Sequence, residues 1–569
     1  MKLKNILVDA LFISVLFLAA YFRFFNLNQL PPSLFSDEVD AGYQALTFNR
    51  CQSDYFGHSL PIHFQSYSDW RTSLYIYSIA FSQRLTYNPD LAVRLPAAVF
   101  GLLSCVVFYF IIKTATKNRF YALLGFLTIS LSPWLIHYSR AGFEVTGMIF
   151  CLLLSIFYWL KFNIYKQLKY LYTSLAFLAF TPYFYSTAKF LIPFILFGFI
   201  YFWRSTLPRM RLKSFIAAVI FLTVLMLPLA KDTLGGQSGF RFSYISIFSQ
   251  PNLDKETNRL RYIDSLKDHQ GEIGVTTSFE SKLAHSRPQL VVQKFITNYL
   301  LSFSTDFLFV TGDANLRQGF TTHGYFFATE FFLIIIGLVV VFLTKRPLDY
   351  FFIFLLIIGP IPFALTRDSL SPHATRLIVL LPSFLYLIVN GQIFLIEKLK
   401  SIRFLLVLAI IVTILIQFTQ FWHTYTYHYP QISARYWHTG MKEAVLEAVN
   451  TKRSHLYFSD KYEPFLPFYL YYTNYIPKNL SCSPAQTIIK DKQDFISGVV
   501  TDNQAHFGII EWSKLIKNKQ MLTQSIFIIP QSELLTVQDA LGSQLNLNKV
   551  YTTPLKFQEQ ESFIIFALQ

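Results

Sequence analysis

Three acids crowd into four positions of Phe35-Ser-Asp-Glu-Val-Asp-Ala-Gly-Tyr-Gln-Ala45. Asp37, Glu38 and Asp40 follow the first apolar run of the chain by about ten residues, with Pro31 and Pro32 before them. Burying such acids costs several kcal/mol each unless they are paired, so packing alone does not account for them. A carboxylate placed there can take the proton of an attacking hydroxyl. Asp37 and Glu38 are neighbours, so on a helix they point about 100° apart and cannot play the same part. The plainer alternative is a solvated loop with Asp37 capping a helix. Six basic residues, Arg71, Arg94, Arg140, Lys189, Arg367 and Arg376, stand at the ends of apolar runs. They either meet an anion through charge-assisted hydrogen bonds or extend toward lipid headgroups. Asp313, Asn315 and Arg317 form a further polar cluster before another apolar run. That cluster either closes over a substrate or simply caps and turns the chain.

Composition says what must hold these residues. Of 569 residues, 53% are hydrophobic and only 14% charged, against roughly 25% charged in a soluble domain. Phe alone contributes 61 residues. Disorder and coiled coil are excluded, and a large soluble enzyme with so apolar a surface would aggregate. A polytopic helical membrane protein is expected. About 20 apolar residues span a bilayer, and eleven candidates appear: 6–25, 94–112, 120–137, 145–160, 170–188, 189–203, 214–230, 326–343, 350–366, 376–396 and 404–421. The basic start, Met1 to Asn5, is read as leading an uncleaved first span, because no small-residue cleavage site follows.

With the N-terminus in the cytoplasm, the short cytoplasmic connections hold 17 basic residues and only Asp349 and Glu397 as acids. This is the positive-inside pattern. It absorbs nearly all of the net charge of +16, so a nucleic-acid partner is not indicated. Residues 26–93 and 231–325 become large external loops, and 422–569 an external tail. In the tail, Lys442–Val449 reads as an amphipathic helix. His455–Ser459, His506–Glu511, Ser525–Pro530 and Phe563–Ala567 read as strands of a small α/β domain. Residues Ser73 to Leu85 are apolar and aromatic but too short to span, which predicts an interfacial helix. Phe421 to Tyr429 reads as an aromatic belt at the membrane surface. Cys105 and Cys151 read as core residues, and a bridge between Cys51 and Cys482 is left open.

Ordered motifs then point to a family. Asp37-Glu38 is followed by Asp54-Tyr-Phe-Gly57, Arg94-Leu-Pro96, and Ser132-Pro-Trp134 with Ser139-Arg140. Next come Asp306-Phe-Leu-Phe309 with Gly312-Asp313, and Pro360-Ile-Pro362 with Leu365-Thr366, His373 and Arg376. In this order and topology the sequence resembles membrane-embedded glycosyltransferases of the GT-C fold. Within them it is similar to the branch of protein O-mannosyltransferases and lipid A aminoarabinose transferases. The resemblance covers residues 1–421, while the tail, 422–569, matches no pattern.

The resemblance implies transfer of a monosaccharide from a polyprenyl-phosphate carrier at the outer face of the cytoplasmic membrane, with inversion. It gives Asp37 the part of base, Glu38 that of its partner, and Glu144 that of a second acid. Arg71, Arg94, Arg140, Lys189, Arg367 and Arg376 become candidates for the donor phosphate, whose developing charge needs cations. Asp313, Asn315 and Arg317 become the substrate loop. No organic cofactor is implied. A divalent ion bridging Asp37 and the donor phosphate is left open, because some GT-C enzymes use one and others do not. His58, His63, His323, His373, His423, His428 and His438 fall on the outer side without an HxH or HExxH spacing, so no zinc site is specified. The sugar and the acceptor, whether protein Ser/Thr, lipid or envelope glycan, stay open. A non-enzymatic flippase would keep its ionisable groups inside the spans, where this chain has almost none apart from Asp9. A polysaccharide polymerase or ligase is the third reading, but it gives no reason for the Asp-Glu pair.

Overall fold

The computed structural model describes residues 2–66, 70–207, 211–235, 245–250, 252–267, 277–320, 322–367, 371–475, 488–490, 496–501, 505–510, 512, 524–541 and 547–568. Cys482 and Glu511, which figure in the sequence reading, lie outside them, as do Asp69 of the first loop and Arg209 of a short basic connection.

Each of the eleven apolar segments is helical. In chain order the first half runs α1 (Lys2–Phe24), α2 (Ser36–Cys51), β1 (His63–Gln65), β2 (Trp70–Thr72), α3 (Ser73–Ser82), α4 (Pro89–Thr116), α5 (Arg119–Ser130), α6 (Pro133–Arg140), α7 (Val145–Tyr165), α8 (Leu168–Phe184), α9 (Ala188–Trp203) and α10 (Leu212–Gly235). The remaining apolar helices are Ala328–Thr344, Pro347–Ile358, Leu381–Lys398 and Arg403–His423. Seven helices among the described residues are long and apolar enough to cross a membrane, or eight if α5 and α6 count as one bent span. Eleven spans were expected, and others of the eleven are shorter. Helix α9 and Ala328–Thr344 have 16 and 17 residues.

The bend between α5 and α6 is 56°. Pro133 opens α6 and has no N–H to continue the ladder, so the helix restarts in a new direction. Three tight turns end on lysines in the left-handed region: Lys117, Lys166 and Lys345. Glycine suits that conformation better, but a lysine also puts a cation beside the helix C-terminus. Ala328–Thr344 packs closely on Leu381–Lys398. A Cβ on Gly337 would fall 2.0 Å from the Leu387 carbonyl oxygen, and one on Gly391 2.3 Å from that of Leu333. Small residues at such crossings let apolar helices approach closely without a hydrophobic drive between them.

The tail forms a seven-stranded sheet. Its strands are β3 (His455–Ser459), β4 (Ile488–Lys490), β5 (Ile496–Thr501), β6 (Ala505–Gly508), β7 (Ser525–Pro530), β8 (Leu547–Thr552) and β9 (Phe563–Leu568), in the order β4-β5-β6-β3-β7-β9-β8. Strand β3 pairs in parallel with β6 and β7, and the outer pairs are antiparallel. The predicted helix is Met441–Asn450, and a second one, Leu466–Tyr472, was not foreseen.

These tail helices pack on the first loop. Lys442 reaches Asp90 at 2.6 Å, the Tyr472 hydroxyl donates to Asp90 at 2.8 Å, and that of Tyr471 to the Pro89 carbonyl at 2.8 Å. The loop therefore lies between the helical bundle and the sheet domain. Helix α3 has Tyr75, Ile76, Ile79 and Ala80 buried. Cys51 is disulfide-bonded, and Cys105 and Cys151 are buried free thiols.

Candidate functional site

Helix α2 opens with Phe35 as its N-cap and Glu38 at the third helical position. The Phe35 amide donates to Glu38 Oε2 at 3.2 Å. This capping contact turns Glu38 inward and leaves Asp37 facing away. The Asp37 side chain is 56% exposed, while that of Glu38 is 0% exposed. Asp37 is thus not the cap of its helix.

Asp37 lines a cavity of about 320 Å³. Its wall combines the first turn of α2, Trp70, Arg71 and Thr72 of β2, and Tyr75 and Ile76 of α3. Gly142, Phe143 and Glu144 from the turn before α7, Tyr185 and Ser186 after α8, and Gln318, His373, Thr375 and Arg376 complete it. Four predicted residues therefore meet: Asp37, Glu144, Arg71 and Arg376. Trp70, Tyr185, Gln318 and Thr375 were missed. None of them stands in a motif, so only the fold brings each one in.

Arg71 faces Asp37. Its Nη2 donates to Asp37 Oδ1 at 2.8 Å and its Nε to Asp40 Oδ2 at 2.7 Å. Glu38 and Arg94 form a buried pair behind the cavity wall. Arg94 Nε donates to Glu38 Oε1 at 3.1 Å and Nη2 to Oε2 at 3.3 Å. Glu38 Oε1 also accepts the Gly142 amide at 2.6 Å. A Cβ on Gly142 would stand 3.0 Å from that oxygen and press on the pair. Arg94 further donates to the carbonyls of Leu27, Pro31 and Ser33. The pair ties the chain entering α2 to α4 and to the turn carrying Glu144.

Arg140 and Lys189 lie outside the cavity lining. Arg140 is buried and donates to the carbonyls of Phe22, Phe25 and Leu30, with its guanidinium over the rings of Trp422 and Tyr425. It satisfies the C-terminal carbonyls of α1. Arg23, which was not singled out, makes the same kind of contact with Ala19 and Ser130. Lys189 donates to His63 Nε2 and Thr233 Oγ1, each at 3.0 Å. His63 Nδ1 pairs with Asp232. Asp232 therefore stands close to Lys189, although the two are far apart in sequence. Since the carboxylate accepts from Nδ1–H, Nε2 accepts from the ammonium. Arg367 bonds through its amide to the Ile245 carbonyl and also lies outside the lining.

The expected substrate-loop residues Asp313, Asn315 and Arg317 do not line the cavity; they brace the segments that carry Gln318, His373 and Arg376, which do. Asp313 Oδ1 accepts the Asn315 amide and Oδ2 the Ala374 amide, both at 2.9 Å. Asn315 Oδ1 accepts the Arg317 amide at 3.0 Å. These are side-chain-to-backbone turns, and through Ala374 they fix the segment bearing His373 and Arg376. Burial pushes the Asp313 carboxyl up to about 6 against those hydrogen bonds. Gln318 Nε2 donates to His373 Nε2 at 3.4 Å, and Arg317 lies 5.1 Å from the Phe35 ring centroid.

One face of the aromatic stretch after the last span joins this support, while Tyr427 on the other is exposed. Phe421, Tyr425 and Tyr429 are buried. His137 Nε2 donates to the Arg317 carbonyl at 2.8 Å, so its Nδ1 accepts the Tyr425 hydroxyl at 3.1 Å. The Tyr429 hydroxyl donates to the Leu316 carbonyl. Among the described residues, no group of three or more His, Cys, Asp or Glu side chains converges to hold a metal ion.

Residues 71–230 match the family described as dolichyl-phosphate-mannose-protein mannosyltransferase. The resemblance read from the motifs is borne out over that stretch. It contains Arg71, Arg94, Arg140, Glu144 and Lys189, while Asp37, Glu38 and residues 313–376 lie outside it. Among solved structures, the chain is similar to the archaeal oligosaccharyltransferase AglB of Archaeoglobus fulgidus, in complex with an inhibitory peptide and a dolichol-phosphate. The TM-score there is 0.47 at 10% identity, covering 87% of this chain and 67% of that one. It is also similar to ArnT from Cupriavidus metallidurans in the apo state, with TM-score 0.41 and 10% identity over 100% and 98% of the two chains. ArnT bound to undecaprenyl phosphate gives TM-score 0.39 and 9% identity over 99% and 97%. Comparison with curated proteins gave no match.

Proposed function

We propose that this chain is a membrane-embedded glycosyltransferase of the GT-C type. It moves a monosaccharide from a polyprenyl-phosphate carrier to a hydroxyl acceptor at the outer face of the cytoplasmic membrane. The observation that carries this reading is the cavity that joins the Asp37 carboxylate to Glu144, Arg71 and Arg376. The family match over residues 71–230 supports the donor class.

In the proposed reaction the acceptor oxygen attacks the anomeric carbon, and the bond from that carbon to the phosphate oxygen breaks. Asp37 takes the acceptor proton. The carrier leaves as a phosphate with one more negative charge, and Arg376 meets that charge across the cavity. Glu144 orients the acceptor or sugar hydroxyls. Attack and departure occur on opposite faces of the sugar, so the configuration inverts. The basic residues of the short connections support a cytoplasmic N-terminus and a tail domain outside.

The test uses purified protein in proteoliposomes, a labelled polyprenyl-phosphate monosaccharide and candidate hydroxyl acceptors. The expected result is release of polyprenyl phosphate with a product of inverted anomeric configuration by NMR. Retention of configuration would remove the single displacement. Transbilayer movement of the carrier with no transfer would favour the flippase.

A further inference from the structure

Arg71 was expected to meet the donor phosphate, yet its guanidinium is committed to two carboxylates of one helix. Asp37 and Asp40 are three residues apart on α2 and so share a face. Nη2 of Arg71 holds the first at 2.8 Å and Nε the second at 2.7 Å. The two acids differ in everything else. Asp37 is half-exposed on the cavity, whereas Asp40 is buried. Asp40 Oδ1 accepts the Tyr55 hydroxyl at 3.2 Å, and Oδ2 accepts the Ser66 hydroxyl at 2.7 Å as well as Arg71. A carboxylate enclosed in this way touches no substrate. Its burial is unfavourable unless hydrogen bonds and a counter-charge compensate. Burial pushes its carboxyl up, and the Arg71 charge is the largest influence pulling it back.

We propose that Asp40 is a positioning residue that acts through Arg71. It clamps the Nε edge of the guanidinium so that the Nη2 edge holds the Asp37 carboxylate in one orientation toward the cavity. Two carboxylates then divide one positive charge. An arginine serving Asp37 alone would stabilise its ionised form more strongly and make it a poorer base. The inference rests on the reading of Asp37 as the base. Arg376, which also lines the cavity, is the proposed contact for the donor phosphate.

The first readout needs no activity. A water-soluble carbodiimide labels protonated carboxyls, and mass spectrometry follows Asp37 labelling against pH in the detergent-solubilised full chain. The charged and titratable groups around Asp37 include Asp40 on its own helix, Arg71 on β2, Tyr75 on α3, Glu144 before α7, Tyr185 after α8, His373 and Arg376, and His438 and Glu463 in the tail. In Asp40→Asn, Arg71 no longer shares its charge with Asp40, so the labelling midpoint moves to lower pH. In Arg71→Ala the same second change moves the midpoint less, through the direct repulsion between the two carboxylates alone, and an equal shift in both backgrounds overturns the proposal. An unshifted midpoint in Asp40→Asn overturns the proposal.

The second readout is transfer. Asp40→Asn should lower kcat about tenfold or more, with the donor KM changed less than about twofold. In the Arg71→Ala background it should change kcat by less than about twofold, because coupled residues are not additive. Additive losses overturn the proposal. If wild-type protein transfers no sugar, the glycosyltransferase reading fails while the labelling still decides the clamp. If wild type transfers and Asp40→Asn matches it, the clamp fails alone. Should Asp40→Asn not fold, Arg71→Lys keeps the charge but loses the fork. It must then lower kcat about tenfold, and unchanged kcat overturns the proposal.

Discussion

Asp37 and Glu38 are adjacent, yet one faces a cavity and the other is sealed against Arg94. The backbone of α2 decides this, because successive helical side chains diverge by about 100° and the Phe35 amide draws Glu38 inward. Glu38 gathers two backbone amides and an arginine, a set that holds its carboxylate in one place. Glu38→Gln would leave Arg94 buried without a counter-charge. Breaking one side of a buried pair costs about 3–5 kcal/mol. The variant should therefore melt well below wild type in detergent. A thermal midpoint equal to wild type in Glu38→Gln would show that the pair does not hold the loop.

At the scale of elements, the apolar runs were plainly legible. All eleven segments are helical, because uninterrupted apolar residues of that length have few other ways to satisfy their backbone. The tail strands His455–Ser459 and Ser525–Pro530 were legible too, as apolar runs ended by polar residues or Pro. Strands β4, β5 and β8 were not, because they are short or carry mixed polarity. The site was half legible. Asp37, Glu144, Arg71 and Arg376 reach one cavity, but Arg94, Arg140 and Lys189 turn to carboxylate, carbonyl and imidazole partners. A cation at the end of a span reads the same in sequence whichever of these it meets. Trp70 and Tyr185 could not be told from the other aromatics of so aromatic a chain.

The turn after β3 yields a prediction at this scale. Asp460 Oδ1 accepts the Phe465 amide at 2.9 Å, and burial pushes its carboxyl up to about 6. The folded state therefore favours the protonated acid. Its stabilising contribution is full below the ordinary value of 3.8 and is lost as pH rises through about 6. At about 1.4 kcal/mol per pKa unit this amounts to roughly 3 kcal/mol. Asp460→Asn keeps the accepting oxygen without the charge. Its thermal midpoint should lose the decline between about pH 4 and 6 that Asp460 imposes on wild type. Parallel pH profiles of the two proteins would contradict this.

For the whole molecule, the net charge of +16 is mostly carried by short turns between helices. What remains on the side of the long loops is close to neutral, and its first loop is acidic. The tail domain, which had no assigned part, grips that loop through Lys442, Tyr471 and Tyr472. The Ser36 amide, next to Asp37, donates to His438 Nδ1 at 3.3 Å, and His438 Nε2 stands 3.4 Å from Glu463. Bundle, loop and sheet domain thus converge on the first turn of α2. The most direct test is the rate of sugar transfer from a polyprenyl-phosphate monosaccharide by wild type and Asp37→Asn in the same proteoliposomes. Loss of the base predicts a fall of about 100-fold or more with an unchanged thermal midpoint. Wild-type turnover by the Asn protein would contradict the account.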